Sequence, residues 1–176
     1  GATSSIQTDS SRAATQIGYK LNLPYGARLC GVSIYADQDA DGLIQLYNSA
    51  LDTSLGSITL KTNVPVSTAV VKNTVYFSSP IDLSANTDYY LTFNGNGSAL
   101  CTMYKKTIPT YYTSWLYNND FTQQILTPGT INTLSPTSTA NWTALTDGTL
   151  PLIQGLFSHI DIPTGGGGGV PFSASW

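Results

Sequence analysis

Three aspartates spaced two apart, Asp37, Asp39 and Asp41, stand in the segment DQDADG that ends at Gly42. Alternate carboxylates of this kind can converge on one hard cation, and the pattern matches the start of a calcium-binding loop. The twelfth position counted from Asp37 is Asn48, where a helical calcium loop wants a bidentate glutamate, and the flanks have the composition of strands. Two readings stay open. Either Asp37, Asp39 and Asp41 ligate Ca2+, the one cofactor the sequence suggests, or the segment is a solvated hairpin tip whose charge discourages edge pairing.

His159, the single histidine, is followed two residues on by Asp161, which in a strand puts both side chains on one face. A hydrolase would also need a nucleophile. None of the serines stands in a G-x-S-x-G elbow, and neither cysteine has an activating neighbour in sequence. All ten acidic residues are aspartate, so carboxylate pairs for glycoside hydrolysis would have to be Asp–Asp, and nothing in the sequence brings two of them together. With no glutamate and one histidine the chain is poor in catalytic equipment, and it is expected not to be an enzyme.

Aromatic residues accumulate between Thr107 and Leu150. Tyr112, Trp115, Tyr117 and Trp142 are candidates to stack on sugar rings, with Asn118, Asn119, Asp120, Gln123 and Gln124 near enough in sequence to read hydroxyls. The bland alternative makes Trp115 and Trp142 core or subunit-contact residues in a threonine-rich loop layer. Asn96-Gly97-Ser98 and Asn141-Trp142-Thr143 fit the N-glycosylation triplet, as expected by chance in a chain of which about a quarter is Ser or Thr.

Cys30 and Cys101 lack the paired spacing of a zinc site. Cys30 alternates with Val32, Ile34 and Ala36, so it reads as a small buried hydrophobe. The other reading, a Cys30–Cys101 bridge, needs neighbouring strands and an oxidising compartment. Only 10% of residues are charged, the net charge is −3, and the seven Lys and Arg are scattered, so no phosphate-tracking stripe exists and no nucleic acid is expected as a partner. No apolar run approaches the ~18–20 residues of a membrane span, and no basic-then-apolar leader opens the chain. No membrane is expected either.

The elements that must position these residues read as strands. Ile17, Tyr19, Leu21 and Leu23 alternate over 16–23, and Pro24-Tyr25-Gly26 supplies a turn. Strands follow over 28–36, 43–47, 56–61, 64–71 with an edge-marking Pro65, and 75–77, the DQDADG segment making a hairpin of the second and third. The stretch 80–97 is the clearest strand signal, with Tyr89, Leu91 and Phe93 on one face and Tyr90 and Thr92 on the other. Further β-like runs cover 98–105 and 152–162. No window shows a capped helical period. The expected fold is all-β: an antiparallel, jelly-roll-like β-sandwich over residues 16–163 whose core includes Val32, Ile34, Leu46, Ile58, Leu60, Leu83, Tyr89, Leu91 and Phe93. Residues 1–15 form an extended N-terminal arm. Residues 164–176 join a five-glycine tether to an apolar peptide, of which Val170, Phe172 and Trp176 are expected to dock on a neighbouring subunit.

The segments ATQIGYKLNLPYGARLCGVSIYADQDADGLIQLYNS, VYFSSPIDLSANTDYYLTF and GLFSHIDIPTGGGGG, in that order, resemble β-sandwich domains of tailed-phage structural proteins in which a glycine-rich tail follows the sandwich. The likeness covers residues 13–169 and rests on turn-and-strand patterns. It implies a virion component of fibre or decoration type, located on a virion or extracellular surface, partnered by copies of itself or other such subunits, and with no active site to carry over. Similar patterns occur in carbohydrate-binding modules, which keeps a lectin-like function with a glycan partner as the alternative.

Overall fold

Alternation of apolar and polar residues turns most of this chain into strands that bury one face. The computed structural model describes residues 16–36, 42–60, 71–94, 105–107, 126–131, 141–144, 149–151 and 153–160. Among them every regular element is a strand: β1 (Gln16–Asn22), β2 (Ala27–Ala36), β3 (Leu43–Tyr47), β4 (Ser54–Thr59), β5 (Val71–Leu83), β6 (Asp88–Asn94), β7 (Lys105–Thr107), β8 (Leu126–Ile131), β9 (Trp142–Ala144), β10 (Thr149–Pro151) and β11 (Ile153–Ile160). A wide sheet has the order β4-β3-β6-β1-β8-β9, a narrower one β11-β2-β5, and β10 pairs with β7. All pairings are antiparallel. The expected arms at 1–15 and 164–176, and all but the last residue of the expected strand over 64–71 and of the run over 98–105, lie outside the described residues.

The wide and narrow sheets face each other across the core. Ile17, Tyr19, Ile44, Leu46, Leu91 and Phe93 of the wide sheet meet Leu29, Val32, Ile34, Val75, Phe77 and Ile153 of the narrow one. Each fully buried aliphatic or aromatic side chain of this set contributes about 1.5–3 kcal/mol relative to exposure. The expected core residues all lie in this cluster; Tyr89 is half-buried at its margin.

The DQDADG segment does not make a hairpin. β2 pairs with β5 and β11, whereas β3 pairs with β4 and β6, so the connection crosses from one sheet to the other. Val32 and Ile34 therefore face Ile44 and Leu46 across the core instead of lying beside them. Turn residues announce that a chain reverses; they do not say which sheet the next strand joins. The links β1–β2 and β5–β6 also cross between sheets, and they are tied together where Asn86 N–H donates to the Leu23 carbonyl at 2.7 Å. Asn86 has φ 53°, a left-handed turn position that Asn tolerates, and it cuts the 80–97 stretch into the end of β5 and all of β6.

β3 and β4 do form a hairpin. Asn48 organises it: its side-chain oxygen accepts from the N–H groups of Asp52 and Thr53 at 3.2 and 3.3 Å, and its amide nitrogen donates to the Asp52 carboxylate at 2.7 Å. Leu51 sits in this turn at φ 58°, a strained position for a side chain that the packing of Leu51 against Tyr90 and Ile131 offsets.

Cys30 is not a core residue. β2 shifts register against both neighbours near this position, so Leu29 and Val32 both face the core and Cys30, half-buried, falls in the break. Its thiol is free and points weakly at the Arg28 carbonyl, 4.0 Å away; Cys101 lies outside the described residues.

Candidate binding and assembly surfaces

An antiparallel sheet usually leaves one face to water. The wide sheet here is buried on both faces near its centre. On the side away from the narrow sheet, Gln16 and Thr92 have no exposed surface, although both are polar. They satisfy each other: Thr92 donates its hydroxyl to the Gln16 side-chain oxygen, Gln16 Nε2 donates to Tyr47 Oη at 3.0 Å, and Tyr47 Oη donates to Gln45 Oε1 at 2.9 Å. The result is a closed hydrogen-bonded ladder across β1, β6 and β3.

Beside the ladder lies an aromatic group. Gly129 of β8, paired with Gly18 of β1, has no side chain, and this leaves room for the indole of Trp142 from β9. A Cβ on Gly129 would come within 2.5 Å of that ring. The indole packs on Tyr90, together with Leu51, Ile131 and Tyr47, and its enclosed N–H has no hydrogen-bond partner among the described residues. Burial, and then the negative charge of Asp88, hold the Tyr90 hydroxyl above its usual pKa. Asp88 accepts from Asn22 Nδ2 at 2.6 Å and faces Lys20 Nζ at 3.6 Å, a part-exposed cluster at the rim of the same face.

The outer face of the narrow sheet carries an exposed aromatic ring. Tyr76 is 63% exposed, and its ring lies beside Gly31, the residue paired with it on β2. The Ser33 and Thr74 hydroxyls meet at 3.1 Å on the same face, and Arg28 grips Asp82 with Nε and Nη2 at 2.6 and 3.2 Å. The hydrogen bond from Arg28, aided by its charge, holds the Asp82 carboxyl below the usual range. Hydrogen bonds from Asn48 and then Thr53 do the same for Asp52.

Of the residues singled out by sequence, Trp142 is the sugar-stacking candidate that the structure describes, and it is half-buried against Tyr90. Tyr112, Trp115 and Tyr117, the candidate Ca2+ ligands Asp37, Asp39 and Asp41, and the docking residues Val170, Phe172 and Trp176 lie outside the described residues, as do Asp161 and the Asn96 triplet. His159 is in β11, paired through the backbone with Arg28. Known families, curated proteins and solved structures were all compared with the chain. None matches it.

The surface feature that sequence reading missed is Tyr76. Its signal was present in Val75-Tyr76-Phe77, where alternation turns Val75 and Phe77 inward and sends Tyr76 out. The other missed feature is β4, the last described strand at one edge of the wide sheet. That strand, SLGSIT, has no charge and no proline, Leu55 on it is 39% exposed, and among the described residues no strand pairs with its far side.

Proposed function

We propose that this chain is a non-enzymatic structural subunit of a virion or extracellular surface, of fibre or decoration type, joined to copies of itself or to other such subunits through its termini. The observation that carries this reading is the β4 edge. Proteins that must stay apart blunt such edges with lysine, proline, short length or a covering element; here the six-residue edge of the wide sheet carries neither charge nor proline. The described ionisable side chains with shifted pKa values fit the same picture, since Asp52 braces a turn, Asp82 ties β5 to β2, and Tyr19 and Tyr90 pack inside the fold. A jelly-roll-like sandwich suits a subunit of this class. Light scattering of the full chain against a chain lacking residues 165–176 tests the reading. The truncated chain is expected to fold and to lose its oligomers, and one that assembles as well as the intact protein refutes it.

The second reading is a carbohydrate-binding module, and Tyr76 is what favours it: an exposed ring on a sheet face, with the Ser33 and Thr74 hydroxyls on the neighbouring pair of residues, has the chemistry that meets a sugar. Glycan-array binding abolished by Tyr76→Ala puts the site on the sheet. Binding lost only with Trp115→Ala and Trp142→Ala together puts it on the aromatic-rich segment.

A further inference from the structure

We infer that residues 170–176 of one copy join the wide sheet of a second copy as an added strand on β4, a step that rests on the assembly reading above. The segment reads Val170-Pro171-Phe172-Ser173-Ala174-Ser175-Trp176. Its apolar residues occupy every second position, which is the period of a strand with one apolar side. Pro171 has no N–H to give, so the backbone groups of Pro171, Ser173 and Ser175 face away from the receiving sheet and those of Val170, Phe172, Ala174 and Trp176 face toward it. The same proline blunts the far side of the added strand, so addition stops after one step.

β4 is the receiver because the other described sheet edges are guarded. β7, β9 and β10 have three residues each, and β7 contains Lys105 and Lys106. β5 carries Lys72, Pro80 and Asp82 and a break in its pairing with β2, and β11 has two register shifts. On β4 the register shift falls at Leu55, next to the turn, and residues 56–59 pair with β3 without a break. The inner side of β4 is already closed, since a Cβ on Gly56 would meet Ile81 at 2.7 Å and Phe77 at 3.1 Å. The apolar row of the incoming strand therefore lies on the outer side, with exposed Leu55 and half-buried Tyr47.

Reach is sufficient. Residues 161–169 separate the end of β11 from Val170, a span of up to about 30 Å when extended, and the glycines at 165–169 leave its direction free. Each copy donates one strand and receives one, so both β4 edges of a pair are closed.

The experiment uses the full chain with a photoreactive benzoylphenylalanine in place of Phe172, prepared as a mixture of 14N and 15N protein and read by mass spectrometry after irradiation. Cross-links between unlike isotopes that map to residues 54–59 are expected. In parallel, light scattering of Leu55→Asp and of Trp176→Ser is expected to show association about thirtyfold weaker than the parent, as loss of a central interface anchor gives, with circular dichroism and melting unchanged. Cross-links to residues 54–59 confined to like isotopes mean that the strand closes on its own chain and overturn the inference. Cross-links mapping elsewhere, or oligomers that persist in both variants, overturn it while leaving the assembly reading in place. A full chain that is monomeric at every concentration overturns both.

Discussion

The ring of Trp142 meets that of Tyr90 with centroids 5.2 Å apart and planes inclined at 55°, although two strands, β8 and β1, lie between the strands that carry them. The contact depends on Gly129, over which the indole lies. Gly129→Ala would put a methyl group 2.5 Å from the ring and 2.6 Å from the Thr143 carbonyl, so the indole must lift. The expected loss is about 1–3 kcal/mol, as for other overpacked sites. Urea unfolding measures it, and the near-ultraviolet circular dichroism of the folded protein is expected to weaken at the same time.

Gly18 is a harsher position. A Cβ there would come within 1.9 Å of the Leu91 carbonyl and 2.8 Å of Thr92 Cα, both backbone atoms of β6 at the middle of the wide sheet. Gly18→Ala must spread β1 from β6 and is expected to destabilise the fold more than Gly129→Ala does, with a lower urea midpoint or no folded protein at all. Equal midpoints for the two variants would contradict the assigned register.

Much of this frame is legible in sequence, because period-two alternation is a direct readout of a buried face. Ile17, Tyr19 and Leu21, or Val32 and Ile34, announce themselves without any tertiary information. Partner choice is not local. The DQDADG segment has hairpin chemistry, yet β2 and β3 enter different sheets because each must bury its apolar face against the other across the core. Burial of a second face is equally hidden: Gln16 and Thr92 are polar, and only their mutual hydrogen bonds, made 76 residues apart, make full burial tolerable. Cys30 shows a third limit, since one break in register moves a residue off the face its spacing assigns. For the functional surface, Trp142 was visible as an aromatic but not as one turned onto Tyr90, because Gly129, which admits it, lies on another strand.

Leu51 carries an unfavourable φ of 58° and yet is buried against Tyr90 and Ile131. Leu51→Gly relieves the backbone and removes the packing; Leu51→Ala removes the packing and keeps the strain. Loss of a buried leucine side chain is about 2–5 kcal/mol, whereas the left-handed strain is about 1–2 kcal/mol. Both variants are expected to be less stable than the parent, with Leu51→Gly the milder of the two. Thermal unfolding that ranks them the other way shows that the turn is not strained.

Tyr19 predicts behaviour in alkali. Its hydroxyl is enclosed in the core, and burial pushes its pKa well above the ordinary value of 10, with the Ile153 backbone acting in the opposite sense. The unfolded chain therefore ionises this group first as pH rises. Stability from the neutral hydroxyl is complete below about pH 10 and is lost progressively above it. Tyr19→Phe is expected to be about 1–2 kcal/mol less stable at pH 7, through loss of the bond to the Ile153 backbone, and to show a shallower decline between pH 9 and pH 11. Parallel alkaline profiles for the two proteins would contradict the burial of this hydroxyl.

At the acidic end the carboxyls of Asp52 and Asp82 act with the opposite sign. Each is held below the usual value of 3.8, Asp52 chiefly by the Asn48 amide and Asp82 chiefly by the hydrogen bond from Arg28. A depressed folded-state pKa means that the unfolded chain takes up the proton first, so the stabilisation is present above about pH 4 and disappears as pH falls through the lower, folded-state values. Both groups lie at the surface, so salt should weaken the Arg28–Asp82 part more than the Asn48–Asp52 part, which is a hydrogen bond to a neutral amide. Asp82→Asn is expected to flatten the acid limb of a stability profile at low salt and to leave little difference from the parent at 1 M salt. Asp52→Asn is expected to flatten it at both. A salt response shared equally by the two variants would place charge, and not the Asn48 amide, at the root of the Asp52 shift.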